Sequence, residues 1–199
     1  MSVKLPQPPA DYTPSYEAQR NRLIELFSNN VYEKGQDVGI YSPAKLIYEE
    51  YCGEFVKTDS QSPAAINTAY AITFTGTELS RGVSLGSPAS RVVMANSGVY
   101  DFSISVQITS TNSSQKSIWM WLRKNGTNIP NSARVASVSL NNGYLVLGLD
   151  EIVSVTENDY VEIMYAADDT GISISSIAAT AFAPAAPAAI LAVSEADQQ

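Results

Sequence analysis

The sequence predicts an all-β fold, a sandwich or barrel of short strands, preceded by an extended arm and one amphipathic helix. Three observations carry this. From residue 51 onward, about ten short runs of alternating or wholly apolar residues recur, each closed by Gly, Pro, Asn or Asp. No helical period interrupts those runs, which excludes the strand–helix–strand units of a parallel sheet. Charged residues make up 16% of the chain and hydrophobic residues 45%, a balance that suits a structural β protein better than a charged, helical enzyme.

The first residues are rich in proline. Pro6, Pro8 and Pro9 forbid helix and favour an extended arm, along which Leu5 and Tyr12 offer apolar groups. Thr13 is a good helix cap, and Pro14 fits the first helical position because its missing N–H would be unpaired there anyway. The helix is expected to run to about Asn29. Tyr16, Leu23 and Phe27, flanked by Ile24 and Leu26, form its apolar stripe, with Glu17, Arg20, Arg22 and Glu25 opposite. That stripe packs either on its own domain or, together with the arm, across another subunit. Residues 31–50 are transitional: Gly35 and Gly39 break the chain, and Ser42-Pro43 either caps a short helix or continues an extended segment. We place the domain boundary near Tyr51, giving an arm-and-helix region over 1–50 and a sheet domain over 51–199.

The strands follow in order. Residues 54–56, 69–74, 83–85 and 91–94 are short candidates separated by Pro63, by Gly86-Ser87-Pro88 and by small polar residues. Residues 99–108 alternate cleanly. Tyr100, Phe102, Ile104, Val106 and Ile108 share one face, and Asp101, Ser103, Ser105 and Gln107 the other. Residues 118–123 are apolar on both faces, which predicts a central strand or one covered by a neighbour. Asn125-Gly126 is a hairpin turn, since both residues tolerate positive φ. Residues 135–140 end at another turn, Asn141-Asn142-Gly143. Residues 144–149 read as a buried strand that 152–155 continues. Residues 160–166, 172–177 and 188–193 complete the set, before a polar tail.

Composition also excludes function classes. The net charge of −8 argues against a nucleic-acid partner, which needs clustered Lys and Arg. No apolar run reaches the roughly 18 residues that span a bilayer, so membrane insertion is not expected. The N-terminus lacks a basic stretch followed by an apolar one, so no secretory signal is expected either. The chain has no histidine, which removes the commonest general base and metal ligand together. Cys52, the single cysteine, has no basic neighbours to activate it and no partner for a disulfide. We therefore expect no enzyme, no cofactor and no metal.

Three constellations could carry chemistry. Asp150, Glu151, Glu157, Asp159, Glu162, Asp168 and Asp169 form the one dense acidic run. It reads as solvated turns, because it lacks the tight alternating Asp spacing of a calcium loop. A carboxylate-only hydrolase would need two of these groups at a fixed separation. Trp119, Trp121 and Tyr100 could stack on sugar rings, but their apolar strands point to core packing. Asn112-Ser113-Ser114 and Asn125-Gly126-Thr127 match glycosylation acceptors and read as turns.

The segment Gly98-x-Tyr100-x-Phe102, followed by Trp121-Leu122-Arg123-Lys124-Asn125-Gly126, resembles the jelly-roll domain of the complement globular head and of tumour-necrosis-factor-like proteins. More narrowly, it is similar to virion structural proteins of tailed phages that carry such a domain. The likeness spans about residues 51–193. In those domains a Gly-Asp turn precedes a late core strand, and Asn158-Asp159 stands there here, ahead of Tyr160-Val161. The pattern Leu5-Pro6-x-Pro8-Pro9-x-x-Tyr12-x-x-x-Tyr16 also resembles N-terminal segments of several phage virion proteins. Together the resemblances imply a homotrimeric jelly roll located in the virion, a capsid or neck decoration protein or short fiber. Leu5, Pro6, Pro8, Pro9, Tyr12, Tyr16, Leu23 and Phe27 would anchor it to other virion proteins. Tyr100, Phe102, Trp119, Trp121 and Tyr160 would build the core or the trimer contact. The alternative expectation is a tail-fiber tip that binds a host-surface glycan.

Overall fold

The computed structural model describes residues 51–138 and 143–196. The expected arm, helix and anchor residues from Leu5 to Phe27 lie outside them, as do the end of the strand expected to reach Leu140 and the Asn141-Asn142 part of its turn. The described residues form no helix and thirteen strands: β1 (Cys52–Lys57), β2 (Tyr70–Ala71), β3 (Gly76–Arg81), β4 (Val83–Leu85), β5 (Val92–Met94), β6 (Gly98–Ser110), β7 (Lys116–Lys124), β8 (Thr127–Asn128), β9 (Arg134–Val138), β10 (Tyr144–Val155), β11 (Tyr160–Ala167), β12 (Ile172–Ile174) and β13 (Ala189–Glu195).

These strands make two antiparallel sheets, a β-sandwich. The first runs β10-β6-β13-β1-β3, with β12 also on β6. The second runs β4-β5-β11-β7-β8, with β2 on β11 and β9 on β7. Strand β6 lies between β10 on one side and β13 and β12 on the other. Its alternation sets the layering: Tyr100, Phe102, Ile104, Val106 and Ile108 are buried, while Asp101, Ser103 and Ser105 face solvent. From the opposite sheet Ile118, Met120 and Leu122 of β7 and Ile163 and Tyr165 of β11 point back at that row. Phe55 and Leu191 stand opposite each other in the β1–β13 pair and close the core beside them. The Phe55 ring lies 6.2 Å from that of Phe74, a tilted contact inside the favourable range for aromatic pairs.

Many sheet neighbours are distant in sequence, although β4 pairs with β5 and β7 with β8. The first and last described strands pair from Cys52–Ser194 to Lys57–Ala189. The chain changes sheets at each step from β1 to β4, between β5 and β6, between β6 and β7, between β9 and β10, between β10 and β11, and between β11 and β12.

Four expectations need correction. Strand β3 was not expected, because five of its six residues are exposed and no buried face marks it. The strand expected over 69–74 shrinks to Tyr70–Ala71. Beyond it Ile72 still donates its N–H to the carbonyl of Ile163, at 2.8 Å, and Ile72 and Phe74 are buried. Residues 144–155 form one strand, but it is not buried on both faces. It lies at the sheet edge with Tyr144, Val146 and Ile152 more than 60% exposed. Finally, Trp119 and Trp121 are not in the core. The inward face of β7 belongs to Ile118, Met120 and Leu122, and period 2 sends the tryptophans outward.

Phe102 is wholly buried in the central row. Phe102→Ala should lower unfolding stability by about 3–5 kcal/mol, read as a lower denaturant midpoint. A midpoint shift worth less than about 1 kcal/mol would mean that the row does not carry the core.

Candidate functional site

The surface features with functional content lie along one side of the sandwich, where the edge strands β9 and β10 meet. Residues on β10 alternate apolar on both faces. Leu149, Val153 and Val155 turn inward. Tyr144, Val146 and Ile152 are left outward at 61%, 62% and 67% exposure. No described residue pairs with the outer backbone edge of β10. Strand β9 sits on the edge of the other sheet, and Arg134 reaches Glu151 of β10 at 3.6 Å, tying the two edges together. Val135 of β9 is 59% exposed and stands directly opposite Trp119 of β7. Exposed apolar groups thus stand on the outer faces of both edge strands. Edge strands with exposed apolar groups are where chains associate.

The expected site residues separate into inward and outward groups. Tyr100 and Phe102 are core. Tyr100 donates its hydroxyl to the carbonyl of Asn96 at 3.3 Å, and burial, with Glu195 and Tyr51 adding, pushes its phenol up to about 12. Trp119 and Trp121 lie on the outer face of the second sheet. The Trp121 indole N–H donates to Asn128 Oδ1 at 2.9 Å, which fixes the ring, and its register partner across the sheet is the buried Met164. Ser117 and Ser137 share a hydroxyl hydrogen bond two residues from Trp119. Tyr160 is half-buried on the same outer face, with the Arg91 guanidinium 4.4 Å above its ring centre, a cation–π contact. Tyr100 and the tryptophans therefore share no platform: they lie in different sheets and point different ways.

The acidic run does not converge. Asp150 accepts from Ser103, its register partner midway along the β6–β10 ladder. Glu162, almost wholly buried, takes two hydrogen bonds from Arg123, at 3.0 and 2.8 Å, and one from Ser90 at 2.8 Å. A buried carboxylate needs that degree of pairing. Asp168 accepts the N–H of Ser117, and Asp169 closes a turn by accepting the N–H of Gly171 and the Asn112 amide. Among the described residues no three His, Cys, Asp or Glu side chains stand together as metal ligands would.

The Asn125-Gly126 turn joins β7 to β8 with φ of +48° and +81°, as a hairpin turn of this type requires. Its anchor is Asp159, which accepts from Asn125 Nδ2 at 2.6 Å and from the Thr156 N–H at 2.8 Å. Asn158 takes the left-handed conformation, φ +66°, in the place expected for it.

Sequence reasoning missed one exposed group. Phe182 stands at the tip of the segment between β12 and β13 and is 91% exposed. The only signal is one aromatic residue inside a run of Ala and Pro. No protein-family model matches this chain, and a search of curated proteins finds no match.

The two hydrogen bonds to Asp159 hold its carboxyl below the ordinary 3.8, the Thr156 N–H first and the Asn125 amide next, with Lys124 adding. A folded pKa below the unfolded one means the ionised group stabilises. That contribution is complete above the unfolded value and is lost as pH falls through the folded one. Asp159→Asn should therefore destabilise the protein at neutral pH and flatten the fall of its stability below pH 3.8. Denaturation midpoints across that range check it, and an unchanged acid limb would contradict the assignment.

Proposed function

We propose that the chain is a non-catalytic structural component of a tailed-phage particle, a jelly-roll domain that assembles as a homotrimer. It would serve as a capsid or neck decoration protein or short fiber, with residues 1–50 as its anchor to other virion proteins. The observation that carries the reading is the strand order. Two antiparallel sheets ordered β3-β1-β13-β6-β10 and β4-β5-β11-β7-β8, with repeated crossings between them, support a jelly-roll wrapping. The central motif, Gly98 to Gly126, is the one whose resemblance led to the same domain. The phage assignment rests on that resemblance and on the proline-rich N-terminal pattern.

The assembly half of the reading is supported by the exposed apolar side chains Tyr144, Val146 and Ile152 on β10 and Val135 on β9. Apolar area removed from water is worth about 25 cal/mol per Å², so burying groups of this kind favours association. Three copies joined this way would present three anchors, and multivalent attachment lets each single contact be weak. No catalytic role is assigned, since the carboxylates described above are engaged in holding turns and strands.

Light scattering after gel filtration tests the reading on the full chain and on residues 51–199. Both should be trimers, and Val146→Asp with Ile152→Asp should give monomers with unchanged circular dichroism. Monomeric wild-type protein at micromolar concentration would overturn the trimer. In a pull-down with particles, residues 51–199 should fail to bind, and retained binding would overturn the anchor.

A second reading, recognition of a host-surface glycan by a tail-fiber tip, draws on one observation. Trp119 turns a partly open ring outward beside the paired hydroxyls of Ser117 and Ser137. Saturable binding on a glycan array, abolished by Trp119→Ala, would favour this reading, and an empty array would remove it.

A further inference from the structure

Two neighbouring rungs cross the outer face of the second sheet at the start of β7, and they differ in chemistry. One is apolar: Trp119 stands opposite Val135 of β9 on one side and Ala166 of β11 on the other. The next is polar. Ser117 stands opposite Ser137, and their hydroxyls share a hydrogen bond at 3.1 Å. On the other side Asp168 Oδ1 accepts the Ser117 N–H at 2.8 Å, and the Asp168 N–H donates to the Ser117 carbonyl at 3.1 Å. Two residues of strand separate the rungs, about 6.5 Å.

The residues between them, Ile118 and Ala167, are buried, so alternation turns both rungs outward. The apolar rung is open. Trp119 is 38% exposed, and Ala166 has only a methyl group to set beside its indole. The polar rung has hydrogen-bonding capacity left over. Of the two serine hydroxyl protons one is spent on the partner, and the other has no acceptor among the described residues. Asp168 Oδ2 likewise has no partner among them, and an ionised carboxylate only accepts.

We propose that this patch binds a neutral pyranose sugar, with its C–H face on Trp119 and its hydroxyl edge on Ser117, Ser137 and Asp168. The inference rests on the glycan-recognition reading above and names the class of sugar within it. Three features select this occupant. The first is the pairing of chemistries. The ligand needs an apolar side for the indole and, one rung away, a group that donates to the carboxylate and accepts from the serine. A hydroxyl does both, and a pyranose carries its hydroxyls round a ring whose faces are largely C–H. The second is charge. Asp168 is the one charged residue in the two rungs, and its neighbours Lys116 and Asp169 pair with each other at 3.3 Å. The chain as a whole carries −8. A sugar acid would be repelled by the same carboxylate to which a sugar hydroxyl donates. The third is size. The six residues of the two rungs fall well short of the roughly 20–30 residues a side in a stable protein–protein interface, which sets a protein partner aside.

Calorimetric titration of the full chain tests this, with chitotetraose and cellotetraose as neutral probes and tetragalacturonate as the acidic one. The neutral chains should bind saturably, and the acidic one roughly tenfold or more weakly. Trp119→Ala should weaken neutral binding roughly tenfold or more, and Trp119→Phe less, with unchanged circular dichroism. Ala166→Leu, which crowds the indole without removing it, should also weaken binding. Asp168→Asn should narrow the gap between neutral and acidic chains, a change in preference that loss of structure alone does not produce. Neutral binding that survives both Trp119→Ala and Ala166→Leu would overturn this site and leave glycan recognition standing elsewhere on the chain. Equal affinity for neutral and acidic chains would overturn the sugar class. If none of the three binds at millimolar concentration the site falls. Binding to other sugars on a glycan array would then leave glycan recognition standing, and an empty array would remove both.

Discussion

One row of side chains organises the molecule: Tyr100, Phe102, Ile104, Val106 and Ile108 on β6, all pointing the same way and all buried. A strand cannot bury such a row alone. It needs partners on both edges to satisfy its backbone, and a second sheet to cover its face. Strands β10, β13 and β12 meet the first need, and β7 and β11 meet the second. Because partners for β6 come from late in the chain, the fold depends on contacts of long sequence separation. The pairing of β1 with β13 is the extreme case.

The same alternation that fills the core leaves apolar groups over. On β10, Leu149, Val153 and Val155 go inward, and Tyr144, Val146 and Ile152 are left outward on an edge strand. On β7 the surplus is Trp119 and Trp121, the latter pinned by Asn128. An isolated molecule gains nothing from these outward groups, since their apolar surface stays in water. Phe182, at the tip of the segment between β12 and β13, belongs to the same class.

Polar chemistry here is architectural. The Glu162 carboxylate joins β11 to Arg123 of β7 and to Ser90 ahead of β5, holding three segments in register across the outer face of one sheet. Asp159 ties the turn after β7 to the turn before β11. In sequence these residues read as one acidic run. In space each is separately occupied, because successive strand residues point to opposite faces and successive strands lie in different sheets.

The fold class was legible because period 2 and turn residues are local properties. The sequence alone determined the strands around Phe102 and Ile163, the positive-φ turn at Asn125-Gly126 and the left-handed Asn158. It also determined that Tyr100 and Phe102 share a face. It did not determine whether a face is covered. Alternating apolarity on 144–155 and 118–123 is the same signal whether the second face meets a neighbouring sheet, another copy or water, so β10 read as buried and the tryptophans as core. Strand β3 carried no signal at all, since its pairing with β1 comes from backbone hydrogen bonds that side-chain patterns do not record. Only tertiary structure decided which strands became edges, and with that which apolar groups were left outside, because edge position depends on the order of all the strands in a sheet.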